Sequence, residues 1–318
     1  MWELRRRINC LLTVLLFCPV PRSFAASPDL KLIALVPPGA QVISGISALP
    51  HEPQPDQFVL LTHNNVVDLD DLLAICGADG SRTIQQVVFV AVADMEGELR
   101  EHSLLVSGHF DQARIYKSAR ESGAVLTSYR GIPVLEIQPF SREKDSFNHV
   151  RWLAVLNSNV LVFGTIATSR WELDRHADGR PPDSSLLDRL ARLRGKDQTW
   201  TLLSPPASNY EIRGLLSALD PELTEIAQSG RALDFGIYYG RRIEFEYDVA
   251  ADLAADSGGP PQPPAQSLAT SEFTPPLLSS PNAIARGDSS HGHITISMTH
   301  YREWLEEIRR YSNQCLLH

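Results

Sequence analysis

Cysteine and methionine are scarce in this sequence. Its 318 residues include four cysteines and three methionines, and Cys10 and Cys18 lie in the N-terminal segment. Cys76 and Cys315 are the two that remain beyond that segment, and two cysteines cannot build a disulfide framework. They either form a single bridge or remain two separate buried thiols, and their separation in sequence leaves both interpretations open.

The sequence also lacks the short motifs of common catalytic and metal sites. It contains no G-x-S-x-G, H-E-x-x-H, C-x-x-C, P-loop or G-x-G-x-x-G. His291, His293 and His300 form the one local histidine cluster, and they lie beside a proline-rich stretch where exposed, unligated side chains are expected. We therefore predict no catalytic residue, no bound metal and no cofactor, and we favour a protein that is not an enzyme.

Basic residues are outnumbered by acidic ones. The chain has 29 lysines and arginines against 38 aspartates and glutamates, a formal net charge of −9. A negative chain is repelled by phosphate backbones and anionic lipid surfaces. The charge balance disfavours nucleic acid as a partner and leaves an unknown protein or small molecule.

The N-terminal segment has the three parts of a secretory signal peptide. Arg5–Arg7 precede an apolar run over Ile8–Val20, and Ser23-Phe24-Ala25 is a small-x-small cleavage sequence. The run is shorter than the roughly 20 residues that span a bilayer. We predict cleavage after Ala25 and an exported protein, periplasmic or secreted, with no membrane insertion beyond this segment. An uncleaved anchor is the alternative.

Strand and helix patterns alternate along the rest of the chain. Strand patterns occupy 84–92, 99–108, 132–138, 152–162, 199–203 and 233–247, and helical patterns occupy 69–76, 111–122, 184–193, 210–229 and 301–311. Turn residues at 94–97 and 157–159 predict two hairpins. The order predicts an α+β fold with antiparallel or mixed sheets and helices packed on one face.

Two charged patterns are expected to face solvent. Arg189 and Arg192 flank the apolar stripe of the helix at 184–193, which is typical of a solvated polar face. Glu244, Glu246 and Asp248 alternate with apolar residues and predict the outer face of an antiparallel sheet.

A composition change divides the chain. Residues 254–290 are rich in proline, serine and glycine, and such a stretch cannot build a core, so we predict a flexible insertion. We assign residues 1–25 to the signal peptide, 26–207 to a first α+β unit, and 208–253 with 291–318 to a second, partial α+β unit.

An internal similarity accompanies a resemblance to a known family. Leu104–Phe110 and Val160–Ile166 both read as an apolar strand that ends near a glycine before a helix. The strand and helix order is similar to ferredoxin-like folds and is compatible with a duplicated unit. Four segments resemble an uncharacterised family of exported proteins in soil bacteria of the acidobacterial kind, over roughly residues 30–250. They are Ser107–Asp111, Tyr129–Val134, Arg151–Leu156 and Phe163–Ile166.

Aromatic and arginine pairs supply the candidate binding site. Tyr129-Arg130 and Arg151-Trp152 would form a recognition surface through cation–π contacts if they meet in space, and His109 stands at a strand end. We predict an exported, non-catalytic binding or interaction protein of the cell envelope. The alternative is an exported hydrolase that uses the neighbourhood of Ser107, His109 and Asp111.

Overall fold

The fold is described from a computed structural model of the chain. The described residues are 28–47, 72, 75, 84–92, 101–138, 150–193, 199–204, 232–239, 243–249, 284–286 and 289–296. Side chains are described for all of these except residues 239, 243, 284–286 and 289–296. The predicted signal peptide, Cys76 and Cys315 lie outside the described residues.

Twelve strands of the described residues form a single sheet. They are β1 (Val42–Ser47), β2 (Ile84–Val92), β3 (Glu101–Gly108), β4 (Val125–Tyr129), β5 (Ile132–Ile137), β6 (Arg151–Asn157), β7 (Val160–Thr165), β8 (Thr199–Leu203), β9 (Leu233–Tyr239), β10 (Ile243–Val249), β11 (Ile284–Arg286) and β12 (Ser289–Ile296). Their order across the sheet is β11-β12-β10-β9-β8-β1-β2-β3-β7-β6-β5-β4. Every pair of neighbours is antiparallel, so the α+β class with an antiparallel sheet is confirmed.

The predicted hairpins are present. β2 pairs with β3, and β6 pairs with β7 across the turn at Ser158 and Asn159. β9 and β10 pair so that Phe235 lies opposite Tyr247, which places the alternating apolar side chains of both strands on one face of the sheet. The strand β4 has no predicted counterpart, because its five residues are mostly exposed and carry no alternating pattern.

Four helices of the described part lie on both faces of the sheet. They are α1 (Leu30–Ile33), α2 (Gln112–Glu121), α3 (Ile166–Ala177) and α4 (Ser184–Arg192). Ile115 and Ala119 of α2 pack with Leu104 and Val106 of β3 on what we call the α2 face. The opposite face, called the α3 face, carries α1, α3 and α4.

This arrangement differs from the expectation of helices on one face. Consecutive strand residues point to opposite sides, and the central strands are apolar on both. Leu104 belongs to the core of the α2 face, whereas Leu105 packs with Leu32 and Leu202 on the α3 face. Helices therefore have to pack on both faces of the sheet to bury its apolar side chains.

Two glycines allow close approaches within the sheet. A Cβ on Gly45 of β1 would clash with the ring of Trp200 on β8, and a Cβ on Gly164 of β7 would clash with Ser103 on β3. At these positions any side chain would push neighbouring strands or their side chains apart.

The sheet crosses the predicted division of the chain. β8 lies in the predicted first unit and pairs with β9 of the predicted second unit, so the described strands of both belong to one sheet. β11 and the first residues of β12 lie within 254–290, where we predicted a flexible insertion, and here the backbone forms strands. No helix of the described residues is both long and apolar enough to cross a membrane.

Candidate functional site

Tyr129, Trp152 and Arg170 form a stacked group on the α3 face. The ring centroids of Tyr129 and Trp152 are 5.5 Å apart and tilted by 54°. The guanidinium of Arg170, on α3, lies 5.2 Å from the Trp152 ring centroid and 5.8 Å from that of Tyr129. Together with Arg130 and Asp174, described next, these residues are called the aromatic–arginine cluster.

Arg130 reaches the same helix from the turn between β4 and β5. Its guanidinium lies 3.0 Å from Asp174 and 3.0 Å from Asp178. The hydroxyl of Tyr129 donates to both carboxylate oxygens of Asp174, at 3.2 and 3.3 Å. These contacts join the β4–β5 turn to the C-terminal half of α3.

The turn itself has an unusual backbone. Arg130 has a φ of +50° and Gly131 a φ of +81°, and Arg130 is the one non-glycine residue with positive φ in the described chain. Two positive φ values in a two-residue hairpin are those of a type I′ turn, which matches the twist of the strands it joins. A left-handed conformation is uncommon for an arginine, and it is from this conformation that Arg130 forms both of its ion pairs.

The charged groups of the cluster shift the pKa values of neighbouring residues. The pKa of Tyr129 is raised, first by burial of its hydroxyl and then by its bond to Asp174. Hydrogen bonds from Arg180 and then Arg130 lower the pKa of Asp178. The Asp174 and Asp178 carboxylates raise the pKa of Arg130, which favours its charged form, whereas the shift at Tyr129 favours the neutral phenol.

Arg170 differs from Arg130 in its partners. It is exposed, and its contacts are with the two aromatic rings. Among the described residues it forms no ion pair. Stacking fixes the plane of its guanidinium while leaving its N–H donors available to an anion.

The structure brings together three of the five predicted site residues. Tyr129, Arg130 and Trp152 belong to the cluster. Arg151 does not, because it neighbours Trp152 on β6 and so points to the α2 face, where it is buried with Nη2 3.3 Å from Nε2 of His102.

His109 is also remote from the cluster. It follows the end of β3, where its Nδ1 lies 3.2 Å from the side-chain amide of Asn159 in the β6–β7 turn. Trp152 lies at the opposite end of β6, paired with Gly164. His109 and Arg151 therefore drop out of the binding site that we predicted.

The residues of the alternative hydrolase are engaged separately. Ser107 is buried in β3, whereas His109 is exposed. The carboxylate of Asp111 caps α2 by accepting from the backbone N–H of Arg114 at 3.0 Å. No hydrogen bond joins any two of these three side chains in the described structure, and a nucleophile needs its base within hydrogen-bond reach.

The buried carboxyl group of Glu172, on α3, was not predicted from any sequence pattern. Glu172 is fully buried, accepts a hydrogen bond from the hydroxyl of Ser103, and has a second oxygen with no hydrogen-bond partner in the described structure. Burial raises its pKa to about 8, against the opposing effect of the Ser103 bond. Glu172 is therefore protonated at neutral pH.

Charged residues of two patterns that we expected to face solvent contact each other beneath α4. Arg189 contacts Asp234 through two nitrogens, and Arg192 lies 3.2 Å from Asp234 and 2.9 Å from Asp248. Asp234 and Asp248 are buried. The basic side of the helix and the acidic side of β9 and β10 thus form one ion cluster. This corrects the expectation of solvent exposure for Arg189 and for Asp248, whereas Arg192 remains exposed.

Enclosed space for a small ligand is limited in the described part. One cavity of about 20 Å³, between Ile75 and Ala119, holds no more than about one water molecule. An open groove of about 460 Å³ runs along α2 and is lined by Tyr116, Arg120 and Leu126. No group of three or more histidine, cysteine or acidic side chains with metal-binding spacing occurs in the described residues.

Comparison with known proteins adds one distant structural similarity. No protein-family model matches the chain, and no curated protein matches it. A crystal form of TP0453 is similar with a TM-score of 0.49 and 13% sequence identity, over 89% of this chain and 99% of that one. A similarity of this extent supports no conclusion about fold or function.

Proposed function

We propose that this protein is an exported, non-catalytic binding protein of the cell envelope. The observation that carries the proposal is the convergence of Tyr129, Arg130 and Trp152 with Arg170 on one side of the sheet. Aromatic and arginine side chains are enriched at the energetic centres of protein interfaces. Each member of the cluster contacts another member through an ion pair, a hydrogen bond or stacking, so a ligand would meet side chains that are already positioned.

Export is supported by the N-terminal sequence and by the resemblance to an exported family. The order of arginines, apolar run and small-x-small site over residues 1–25 is that of a cleaved signal peptide. Its removal takes away four arginines and one glutamate, which changes the formal net charge from −9 to −12. Edman sequencing of the secreted or periplasmic fraction should start at Ala26; a chain that keeps Met1 in the cytoplasm would contradict export.

The binding role is tested by site-specific cross-linking in the native host. A photoreactive amino acid replaces Val125, which is exposed on the same face of β4 as Tyr129. In a second strain it replaces Ala191, which is exposed on α4. We expect a discrete cross-linked product at Val125 that is absent at Ala191. The additional substitution Arg170→Gln should weaken it several-fold.

Comparing the cross-linking yields at Val125 and Ala191 distinguishes specific binding from nonspecific contact. Equal yields at both positions, or a Val125 product that does not respond to Arg170→Gln, would contradict a binding surface at the cluster. Circular dichroism of each purified variant checks that the sheet is intact.

A further inference from the structure

The strand β4 is an exposed edge. It is the terminal strand of the sheet in the described structure. Val125 and Leu126 are 58% and 47% exposed, although both are large apolar residues. Natural edge strands are commonly shielded by lysine, proline or a bulge, and none of these lies within Val125–Tyr129.

The pairing of β4 with β5 determines which backbone groups face outward. In a hairpin closed by two residues, the residues flanking the turn form a hydrogen-bonded pair, and such pairs alternate along the ladder. Tyr129 lies opposite Ile132 and Thr127 opposite Val134, so both direct their backbone groups toward β5. The N–H and C=O groups of Leu126 and Ser128 therefore point to the open edge.

The two faces beside this edge differ in chemistry. Tyr129 and the Arg170 guanidinium stacked on it lie on the α3 face. On the α2 face, Leu126 lines the open groove of about 460 Å³ together with Tyr116 and Ala113. The α3 face is cationic and aromatic, whereas the groove on the α2 face is lined both by Ala113, Tyr116 and Leu126 and by the charged residues Lys117, Arg120 and Glu121.

The charges at the edge are unbalanced. The nearby carboxylates of Glu121, Asp174 and Asp178 are already paired with Lys117 and Arg130. Arg170 and Arg120 form no ion pair within the described residues, and both are exposed. Glu136, opposite Val125 on β5, is a nearby carboxylate that forms no ion pair among the described residues. In the described structure, a second copy of this chain docked at β4 would therefore bring two unpaired arginines against one unpaired carboxylate.

We propose that the outer edge of β4 accepts an extended, acidic segment of a partner protein as an added strand. The segment hydrogen-bonds to Leu126 and Ser128, directs carboxylates toward Arg170 on the α3 face, and places apolar side chains beside Leu126 on the α2 face. Strand addition takes its affinity from main-chain bonds and its specificity from alternate side chains. This inference rests on the proposed binding function and names the class of partner.

The test uses the full-length mature chain and two capped peptides. One alternates glutamate and valine, and the other alternates lysine and valine at the same length; binding is measured by fluorescence anisotropy. We expect the glutamate peptide to bind at least about tenfold more tightly than the lysine peptide. Equal affinities, or no saturable binding of the glutamate peptide, would overturn the proposal.

Substitutions locate the contact. Ser128→Pro removes an outward N–H without removing a bond to β5, and it should weaken binding about tenfold, whereas Ser128→Ala should leave it unchanged. Arg170→Gln should weaken binding roughly threefold to tenfold, and the charge-matched control Arg114→Gln should not. Because Arg170 lies on a helix surface, its variant keeps the test decisive if Ser128→Pro fails to fold.

Two further outcomes separate this inference from the proposed function. Sedimentation that shows a dimer dissociated by Ser128→Pro would identify a second copy as the occupant and overturn the acidic-segment proposal. A cellular cross-link at Val125 that responds to Arg170→Gln but not to Ser128→Pro would leave the binding function standing and refute strand addition.

Discussion

Two arginine–aspartate clusters on the α3 face use the same chemistry in different surroundings. Beneath α4, Asp234 is 2% exposed and contacts both Arg189 and Arg192. Beside α3, Arg130 and Asp174 are 44% and 38% exposed, although their ion pair is as short as 3.0 Å. The first cluster lies between a helix and the sheet, and the second lies at the rim.

The difference shows why the distance between two charged groups does not by itself indicate how much their ion pair contributes to stability. A carboxylate removed from water must be fully compensated, so deleting one partner of a buried pair leaves an unpaired charge. At the rim, water and salt replace a lost partner at little cost. We therefore assign the α4 cluster to stability and leave the rim cluster free to exchange partners in binding.

The largest expected effect comes from breaking the buried cluster. Asp234→Ala should lower the free energy of unfolding by about 3 to 5 kcal/mol, because the Arg189 guanidinium loses its carboxylate under α4. Urea denaturation followed by tryptophan fluorescence measures the change. Asp188→Ala, at an exposed site on the same helix, is the control and should change stability by less than about 0.5 kcal/mol; equal effects would refute the contrast.

Glu172 sharpens the comparison because it is buried without an arginine. Its folded pKa of about 8 exceeds the usual unfolded value of about 4.3, so its contribution to stability is complete below pH 4.3 and is lost as pH rises through 8. Glu172→Gln should remove this dependence. Relative to the natural chain, the variant should gain about 3 kcal/mol between pH 4 and pH 7.

Urea denaturation of both proteins at pH 4, 7 and 9 measures that gain. Comparing the two at each pH cancels the contributions of the other titrating groups. A constant difference across the three pH values would show that Glu172 is ionised in the folded protein.

The smallest effect is expected at the rim. Asp174→Asn should lower the free energy of unfolding by no more than about 1 kcal/mol, since water replaces the carboxylate beside Arg130. The loss should shrink further in 1 M sodium chloride, where charges are screened within about 3 Å. A loss as large as that of Asp234→Ala would place this cluster among the stability elements instead.

Patterns carried by neighbouring residues were predictable from the sequence. The alternation of Leu233, Phe235 and Ile237 continues into Phe245 and Tyr247, and all five lie in one buried cluster. The asparagine-rich turn between β6 and β7 is likewise local, and the hairpin that it predicts is confirmed.

Features that depend on distant partners were not predictable in this way. Arg189 and Asp234 each look like solvent-facing residues until the fold brings them together from 45 positions apart. The aromatic–arginine cluster was foreseen in part, from adjacent aromatic and arginine residues. Arg170 was missed because its role depends on α3 packing over the ends of β4 and β6.

The position of β1 has a consequence for how the chain reaches its folded state. This early strand pairs on one side with β2 and on the other with β8, and 157 residues separate Ser44 from its hydrogen-bonded partner Thr201. The hairpins from β2 to β7 can form as soon as each is synthesised, but β8 to β10 join the sheet through β1. Closing so long a loop is slow, so the pairing of β1 with β8 should be one of the last steps in forming the sheet.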